Sequence, residues 1–163
     1  GCGAWLDDFQ HIFNFSKFGG IDISPSNIKA VRTHHPNGTF YEADMRTLYK
    51  TIKAEDKVWD HVYSWGVLQF LNNPSEVCSV AHQMYKMLRP GGSLWFGLNE
   101  EVSMCRTPKH RIWGWIILPD QFWRRCFAEI NVGVSYHFEK TLYKLAKPLY
   151  CHDTDSIFVR KPK

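Results

Sequence analysis

Strand and helix patterns alternate along the first hundred residues, and this alternation constrains the fold more than any other feature of the chain. Short apolar, aromatic or β-branched runs predict strands at about 21–23, 39–42, 58–64 and 93–98. Between them, apolar residues recur at helical spacing, first as the stripe Trp5, Phe9, Ile12 and Phe13. Strands separated by helices predict an α/β fold: a Rossmann-like, doubly wound, mainly parallel sheet in a three-layer sandwich.

Local signals predict where these elements begin and end. Gly19-Gly20 is expected to end the first helix, and Ser24-Pro25 to cap a second helix that runs to about residue 32. Asn73-Pro74-Ser75-Glu76 resembles a capping box. Its helix is expected to end at Pro90-Gly91-Gly92, with a buried face made of Val77, Val80, Ala81, Met84 and Leu88.

The last third of the chain has a different organisation. The pattern weakens over residues 101–117, which indicates a long connection, and Pro119-Asp120 then opens a short helix. Two further strands are predicted within residues 131–143 and 155–160. Because no helix lies between them, we expect them to pair antiparallel at one edge of the sheet.

Size and charge suit one globular domain, residues 1–163, with no membrane span. The chain has 163 residues, of which 44% are hydrophobic and 22% are charged. Its net charge is +4, and residues 101–163 carry 11 basic and 6 acidic side chains. No long Lys/Arg run occurs, so a nucleic-acid partner is not favoured, although the basic excess leaves it open. The sequence does not predict an oligomeric state.

Cysteine spacing predicts unpaired thiols. The five cysteines include no Cys-x-x-Cys pair, so neither a zinc site nor a disulfide framework is indicated, and we expect no bound metal. Reduced thiols favour an intracellular, cytoplasmic protein. The five positions are Cys2, Cys78, Cys105, Cys126 and Cys151.

Four segments should reach the carboxyl ends of the predicted strands, where open parallel sheets bind ligands. They are Gly1-Cys2-Gly3, Asp22-Ile23, Asp44-Met45 and Ser64-Trp65-Gly66. Glycines let a ligand approach the backbone, the first acid can accept both ribose hydroxyls, and the second can accept an adenine amino group. Apolar Ile23 and Met45 can flank the ring. These features predict a nucleoside cofactor.

A dinucleotide is the less favoured nucleoside cofactor. Gly-x-Gly followed by a strand-ending acid also occurs in NAD-binding folds. Such folds have a third glycine where this chain has Leu6, and bulky Trp5 would crowd a pyrophosphate.

Two longer motifs resemble those of class I S-adenosylmethionine-dependent methyltransferases. Residues 59–71, WDHVYSWGVLQFL, resemble the fourth-strand motif of that family, and residues 88–94, LRPGGSL, resemble its turn into the fifth strand. Together with the glycine loop and the strand-ending acids, the resemblance covers about residues 1–99. It implies S-adenosylmethionine as the cofactor and a domain that lacks its first strand, because the glycine loop stands at residue 1.

The resemblance also implies a role for each matching residue. Gly1, Cys2 and Gly3 would line the methionine moiety, and Asp22 would bind the ribose with Ile23 beside the adenine. Asp44 would meet the adenine amino group, Met45 would cover the ring, and Ser64 and Trp65 would lie near the sulfonium.

The acceptor is predicted to be a small molecule. The Asn-Pro-Pro-Tyr and Asp-Pro-Pro-Tyr tetrapeptides of many nucleobase and glutamine methylases are absent, and Ser64-Trp65-Gly66-Val67 stands in that place. In the long connection, His110 and Trp113 are the candidate substrate contacts. No catalytic residue is identified, because the possible bases His61, Glu100, Glu101 and His110 have no diagnostic spacing.

Two other functions stay open at this point. Crowding at Trp5 and the tryptophan-rich segment 113–123 are compatible with a cofactor-binding or degenerate domain that serves as an interaction module. The basic excess after residue 100 is compatible with methyl transfer to RNA or protein.

Overall fold

A computed structural model describes residue 1 and residues 3–97, 120–132, 134–137 and 156–163. The chain divides into two compact units, Gly1–Lys57 and Val58–Lys163. The long connection predicted over 101–117 lies outside the described residues. The prediction of one domain that lacks its first strand stays a prediction.

The first unit contains a two-stranded parallel sheet with helices before, between and after its strands. Asp22 at the end of one strand lies opposite Glu42 at the end of the other. The elements are α1 Ala4–Phe13, β1 Gly19–Asp22, α2 Pro25–His34, β2 Thr39–Glu42, a 3-10 turn Met45–Thr47, α3 Leu48–Thr51 and a second 3-10 turn Ala54–Asp56.

The end of α1 differs from the prediction. The helix ends at Asn14, which adopts a left-handed conformation with φ of 45° and donates its backbone N–H to Gln10. Asparagine tolerates this conformation better than most residues, so it replaces glycine as the helix terminator. Gly19 and Gly20 instead form the first half of β1, so the prediction that they end the helix is wrong.

The start of α2 follows its sequence signal. Ser24 caps the helix by accepting the backbone N–H of Asn27 at 3.5 Å, and Pro25 occupies the first turn. The helix then buries one face against the sheet. Its core cluster is Leu6, Ile28, Val31 and Phe40, with Phe18 packed against it.

The second unit contains a four-stranded sheet with strand order β3-β4-β6-β5. β3 and β4 are parallel, and β6 pairs antiparallel with both β4 and β5, which confirms the predicted antiparallel edge. The elements are β3 Trp59–Trp65, a 3-10 turn Leu68–Phe70, α4 Pro74–Lys86, β4 Leu88–Gly97, α5 Asp120–Ala128, β5 Val134–His137 and β6 Ser156–Arg160.

The capping box of α4 forms with its return hydrogen bond displaced by one residue. Asn73 accepts the backbone N–H of Glu76 at 2.9 Å. The Glu76 carboxylate accepts the backbone N–H of Asn72, at 3.1 Å, where a capping box would use that of Asn73. The predicted apolar face of α4 is buried through Met84.

The end of α4 is earlier than predicted. The helix stops at Lys86, and Leu88 already pairs with Trp59 in β4. Pro90-Gly91-Gly92 therefore lies inside the strand, where the register shifts from Leu88 opposite Trp59 to Ser93 opposite His61. A Cβ on Gly92 would lie 2.9 Å from two backbone carbonyl oxygens, so this bulge leaves no room for a side chain.

Aromatic side chains form the core of the second unit. Phe96 of β4 stacks on Trp123 of α5 with ring centroids 5.2 Å apart, and Phe127 packs beside them. Trp123 is fully buried, so it belongs to the core rather than to a substrate pocket. No helix among the described residues is long and apolar enough to cross a membrane.

Candidate cofactor site

The carboxyl ends of β1 and β2 bring two predicted segments to the same edge of the first sheet. Asp22 ends β1 and Ile23 follows it, while Asp44 and Met45 follow the end of β2. The backbone N–H of Ala43 donates to the carbonyl of Asp22 at 3.0 Å, which continues the parallel pairing past the strand ends. Two acidic and two apolar residues therefore lie at one edge, as the pattern predicts.

The Asp22 carboxylate is oriented by donors on one of its oxygens. Its Oδ1 accepts the backbone N–H of Ser24 at 2.8 Å and the side-chain amide of Asn27 at 3.3 Å. Its Oδ2 contacts the nitrogen of Gly1. The glycine loop and the strand-ending acid are thus in direct contact, 21 residues apart in sequence.

The same contacts keep Asp22 ionised. Partial burial opposes the charged form, but the hydrogen bonds from the Gly1 nitrogen, Ser24 and Asn27 outweigh it and lower the pKa of Asp22 below 3.8. The carboxylate is therefore an acceptor throughout the physiological pH range, as a pair of ribose hydroxyl donors would require.

Ile23 presents an apolar surface next to this carboxylate. Its side chain is 67% exposed, among the most exposed large apolar side chains of the described residues. An exposed apolar group beside an oriented carboxylate fits a nucleoside, whose ribose is polar and whose base has an apolar face. Met45 is partly buried at the start of the 3-10 turn after β2.

Asp44 is engaged differently from Asp22. Its Oδ1 accepts the backbone N–H and Nε of Arg46, at 2.9 and 3.0 Å, and its Oδ2 accepts Nε and Nη2 of Arg46, at 3.0 and 2.6 Å. These hydrogen bonds with Arg46 lower the pKa of Asp44. Because a carboxylate has about four acceptor positions, Arg46 occupies most of the capacity that an adenine amino group would use.

Gly3 is required by the backbone itself. It is the N-cap residue before α1, with φ of 86° in the left-handed region, and a Cβ there would lie 2.6 Å from the Val31 side chain. The glycine therefore allows α1 to approach α2 closely. Cys2 lies outside the described residues.

In the second unit, Ser64 and Trp65 end β3, opposite Phe96 and Gly97 of β4. Gly66 follows with φ of 60°, so the chain turns sharply at this carboxyl end. His61 lies earlier in β3, with its Nδ1 2.6 Å from the Ser93 hydroxyl. His61 is therefore held by a neighbouring strand before the strand end.

The remaining candidates fall outside the described residues. They are the predicted substrate contacts His110 and Trp113 and the possible bases Glu100 and Glu101.

Sequence reasoning missed three features that the structure shows. Asn27, in the first turn of the next helix, donates its side-chain amide to Asp22 and orients it. The sequence signal for this contact is a polar residue five positions after the strand-ending acid. Arg46 pairs with Asp44 only two residues away. The third is a disulfide between Cys78 and Cys126, so the expectation of unpaired thiols is wrong for this pair.

Comparison with known families identifies the fold. Residues 1–92 match a family model described as a methyltransferase domain, which is more than half of the 163 residues. The chain belongs to the methyltransferase-domain family. This confirms the prediction of a class I S-adenosylmethionine-dependent methyltransferase, with its Rossmann-like α/β fold and its cofactor. A comparison with curated protein sequences gives no match.

Solved methyltransferase structures share the fold at low sequence identity. The N-methyltransferase NodS from Bradyrhizobium japonicum, in complex with S-adenosylhomocysteine, has a TM-score of 0.64 and 17% identity over 99% of this chain and 74% of its own. CalS10, an amino pentose methyltransferase from Micromonospora echinaspora with S-adenosylmethionine bound, has a TM-score of 0.69 and 16% identity over 99% and 80%. The plantazolicin methyltransferase BamL has a TM-score of 0.72 and 12% identity over 100% and 74%.

Proposed function

We propose that this methyltransferase transfers a methyl group to a small-molecule acceptor and that Asp22 binds the ribose of the cofactor. The observation that carries the cofactor assignment is the Asp22 carboxylate, oriented by Ser24 and Asn27 beside the exposed Ile23. The cofactor supplies an electrophilic methyl group on a sulfonium whose leaving group is neutral. The protein's part is then to bind, orient and exclude water.

Four residues of the first unit have a proposed part in binding the nucleoside of the cofactor. Asp22 accepts the ribose hydroxyls, and Ile23 and Met45 cover the adenine. Asp44 meets the adenine amino group once Arg46 releases part of the carboxylate. That release costs little, because the Arg46 side chain is 47% exposed and ion pairs of this kind contribute about 0–1 kcal/mol.

The remaining candidates are proposed to contact the reacting end of the cofactor and the acceptor. We propose that Gly1, Cys2 and Gly3 line the methionine moiety and that Ser64 and Trp65 lie near the sulfonium. His110 and Trp113 are the proposed acceptor contacts. No general base is assigned, and alignment of the acceptor with the methyl group is the proposed source of catalysis.

Two observations support a small-molecule acceptor. Ser64-Trp65-Gly66-Val67 replaces the tetrapeptide of nucleobase and glutamine methylases. NodS, CalS10 and BamL, which share the fold, are described as an N-methyltransferase, an amino pentose methyltransferase and a plantazolicin methyltransferase. The acceptor atom is left to experiment.

Calorimetry and transfer of labelled methyl groups test the proposal in two steps. S-adenosylmethionine and S-adenosylhomocysteine should each bind the protein with one-to-one stoichiometry. Labelled methyl should then pass to members of a panel of small amines and hydroxyl compounds. Absence of binding at millimolar cofactor would overturn the site, whereas transfer only to added RNA or protein would overturn the acceptor class.

A further inference from the structure

Helices α4 and α5 bring together four side chains that have no part in the proposed methyl transfer. Cys78 of α4 and Cys126 of α5 are joined as a disulfide, with their Cα atoms 5.6 Å apart and a sequence separation of 48. His82 lies one turn after Cys78, and Glu129 lies three residues after Cys126, just past the end of α5. We call these four residues the α4–α5 cluster.

The position of His82 matches that of a metal ligand. Its Nε2 lies 3.5 Å from Cys78 Sγ and 3.6 Å from Cys126 Sγ. Tetrahedral zinc, with bonds of about 2.3 Å to sulfur and about 2.0 Å to nitrogen, places sulfur and nitrogen ligands about 3.5 Å apart. The imidazole is therefore already at the ligand–ligand distance from both sulfurs.

The separation of the two sulfurs must increase for a metal to bind. In a tetrahedral site they lie about 3.8 Å apart, so the disulfide has to be reduced and the sulfurs have to separate. The ligand atoms of Cys78, His82 and Cys126 otherwise all lie within 4.8 Å of one another.

Glu129 is the proposed fourth donor and must reorient to bind. Its Oε2 lies 3.9 Å from Cys78 Sγ, but the exposed Glu129 is not among the three residues whose ligand atoms all lie within 4.8 Å of one another. Two thiolates and one carboxylate carry three negative charges, which are costly to hold together without a cation. Zinc binds cysteine, histidine and carboxylate ligands in four-coordinate sites, and this donor set is soft enough to favour it over magnesium or calcium.

We propose that the α4–α5 cluster, once reduced, is a Zn²⁺ site in which Cys78, His82 and Cys126 are ligands and Glu129 is the fourth. The disulfide and the metal-bound form are mutually exclusive, because both use the same two sulfur atoms. This site goes beyond the proposed methyl transfer and does not depend on it.

One existing hydrogen bond must be exchanged on metal binding. His82 Nε2 lies 2.7 Å from the backbone carbonyl of Cys126, so in the disulfide form it is the protonated nitrogen and donates to that oxygen. Coordination through Nε2 requires the other tautomer. One neutral hydrogen bond is then replaced by a set of metal–ligand bonds. The backbone carbonyl of Cys126 accepts a hydrogen bond from water instead of from His82.

Water, metal ions and small reductants can reach the cluster. A groove of about 460 Å³ is lined by all four cluster residues together with Lys86 and Arg125. Two thiolates and one carboxylate carry three negative charges, and one Zn²⁺ neutralises two of them. The positive charges of Lys86 and Arg125 favour the charge that remains. The cysteines themselves are only 8% and 2% exposed, so the sulfurs face the site rather than bulk solvent.

The two forms interconvert by balanced steps. A phosphine reductant and one water convert the disulfide to two thiols and the phosphine oxide. Zn²⁺ then displaces two protons from the thiols. Hydrogen peroxide, with two protons, oxidises the two bound thiolates to the disulfide, and Zn²⁺ and two waters are released.

The test is a zinc titration of the full chain in its two redox states. A variant with Cys105→Ser and Cys151→Ser removes two thiols outside the cluster. After phosphine reduction without oxygen, it should bind one equivalent of Zn²⁺ in competition with a chromogenic chelator. After peroxide treatment it should bind none. Equal zinc binding in both states, or no zinc binding by the reduced protein, overturns the proposal.

A ligand variant and a spectroscopic probe check the assignment of the donors. In the reduced protein, His82→Ala should weaken zinc binding by at least about tenfold. His61→Ala, which removes an exposed histidine on β3, should leave zinc binding unchanged. Cobalt(II) added to the reduced protein should give the near-ultraviolet band of thiolate coordination. Absence of this band, or equal affinities of the two histidine variants, contradicts the assignment.

Discussion

Replacement of Asp22 by asparagine isolates the charge of its carboxylate from its structural role. Asparagine keeps an oxygen that can accept the Ser24 backbone N–H, the 2.8 Å contact that orients the turn after β1. The start of α2 and its Ser24 cap should therefore be preserved. What Asp22→Asn removes is the negative charge and one of the two acceptor oxygens.

The expected loss of affinity follows from that difference. A hydrogen bond to a charged group contributes about 1.5–3 kcal/mol, and a neutral one about 0.5–1.5 kcal/mol. If two ribose hydroxyls donate to Asp22, one bond becomes neutral and the other is lost. Cofactor binding should weaken by about 2.5–4.5 kcal/mol, which is about 70- to 2,000-fold in Kd. Isothermal calorimetry with S-adenosylhomocysteine measures this directly.

A matched control removes the same charge elsewhere. Asp60 on β3 is exposed and paired with Arg89, so Asp60→Asn should change cofactor affinity by less than about twofold. Thermal melts of both variants should lie near that of the parent protein. Affinity unchanged in Asp22→Asn, or an equal loss in Asp60→Asn, would refute the assignment of Asp22 to the ribose.

The charge of Asp22 also predicts a pH profile. Its pKa lies below 3.8 in the folded chain. The carboxylate is therefore ionised from about pH 5 upward, and its contribution to cofactor binding should not vary between about pH 5 and pH 8. The contrary result is that the parent protein loses cofactor affinity as the pH falls through that range while Asp22→Asn does not. That result would show that the pKa of Asp22 is raised, which contradicts the structure.

Three further predictions concern stability. Gly3→Ala should lower the unfolding free energy by at least about 1–2 kcal/mol, because φ is 86° and the new Cβ would lie 2.6 Å from Val31. Denaturant unfolding measures this loss. Gly20→Ala is the control, because the nearest atom to its new Cβ lies at 3.7 Å. Tyr41 donates to the buried Asp56 at 2.5 Å, and this bond, with Lys17, holds the pKa of Asp56 below 3.8. Asp56 therefore stabilises the fold above about pH 4 and loses this effect as the pH falls through its folded-state pKa. Tyr41→Phe should lower the unfolding free energy by about 1–3 kcal/mol at neutral pH and by less in acid. Chemical unfolding at both pH values measures this difference. Reduction of the α4–α5 disulfide, which closes a loop of 48 residues, should lower stability by up to about 4 kcal/mol in metal-free buffer, and identical melts before and after reduction would contradict this.

Local signals predicted the elements whose ends depend on neighbouring residues. Ser24-Pro25 and Asn73-Pro74 begin helices at the predicted positions, because a cap needs only the N–H groups of the next turn. The antiparallel pairing of the last two strands was predicted because the sequence between them has no helical pattern, and the structure shows that pairing. These features are encoded within a few residues, so the sequence alone suffices for them.

Glycine positions show where local reading fails. Gly19-Gly20 and Pro90-Gly91-Gly92 resemble helix terminators, yet both lie within strands. The second group lies in a bulge whose shape is set by β3, since a side chain on Gly92 would meet the backbone of Asp60. The disulfide is missed for a similar reason. Its two cysteines are 48 residues apart and meet only because α4 packs against α5.

Asp22 and Asp44 show how much of the site the sequence could predict. Each acid stands at the end of a strand, and the sequence gives both a cofactor role. In the structure, Ser24 and Asn27 donate to Oδ1 of Asp22 and the Gly1 nitrogen contacts its Oδ2, whereas Arg46 alone occupies both oxygens of Asp44. A cofactor that binds at this edge must displace Arg46 to reach Asp44. At Asp22 it must displace only the Gly1 contact on Oδ2, while Ser24 and Asn27 keep the carboxylate oriented. The energetic contribution of the two acids should therefore be unequal, with Asp22 the larger, although the sequence pattern presents them as equivalent.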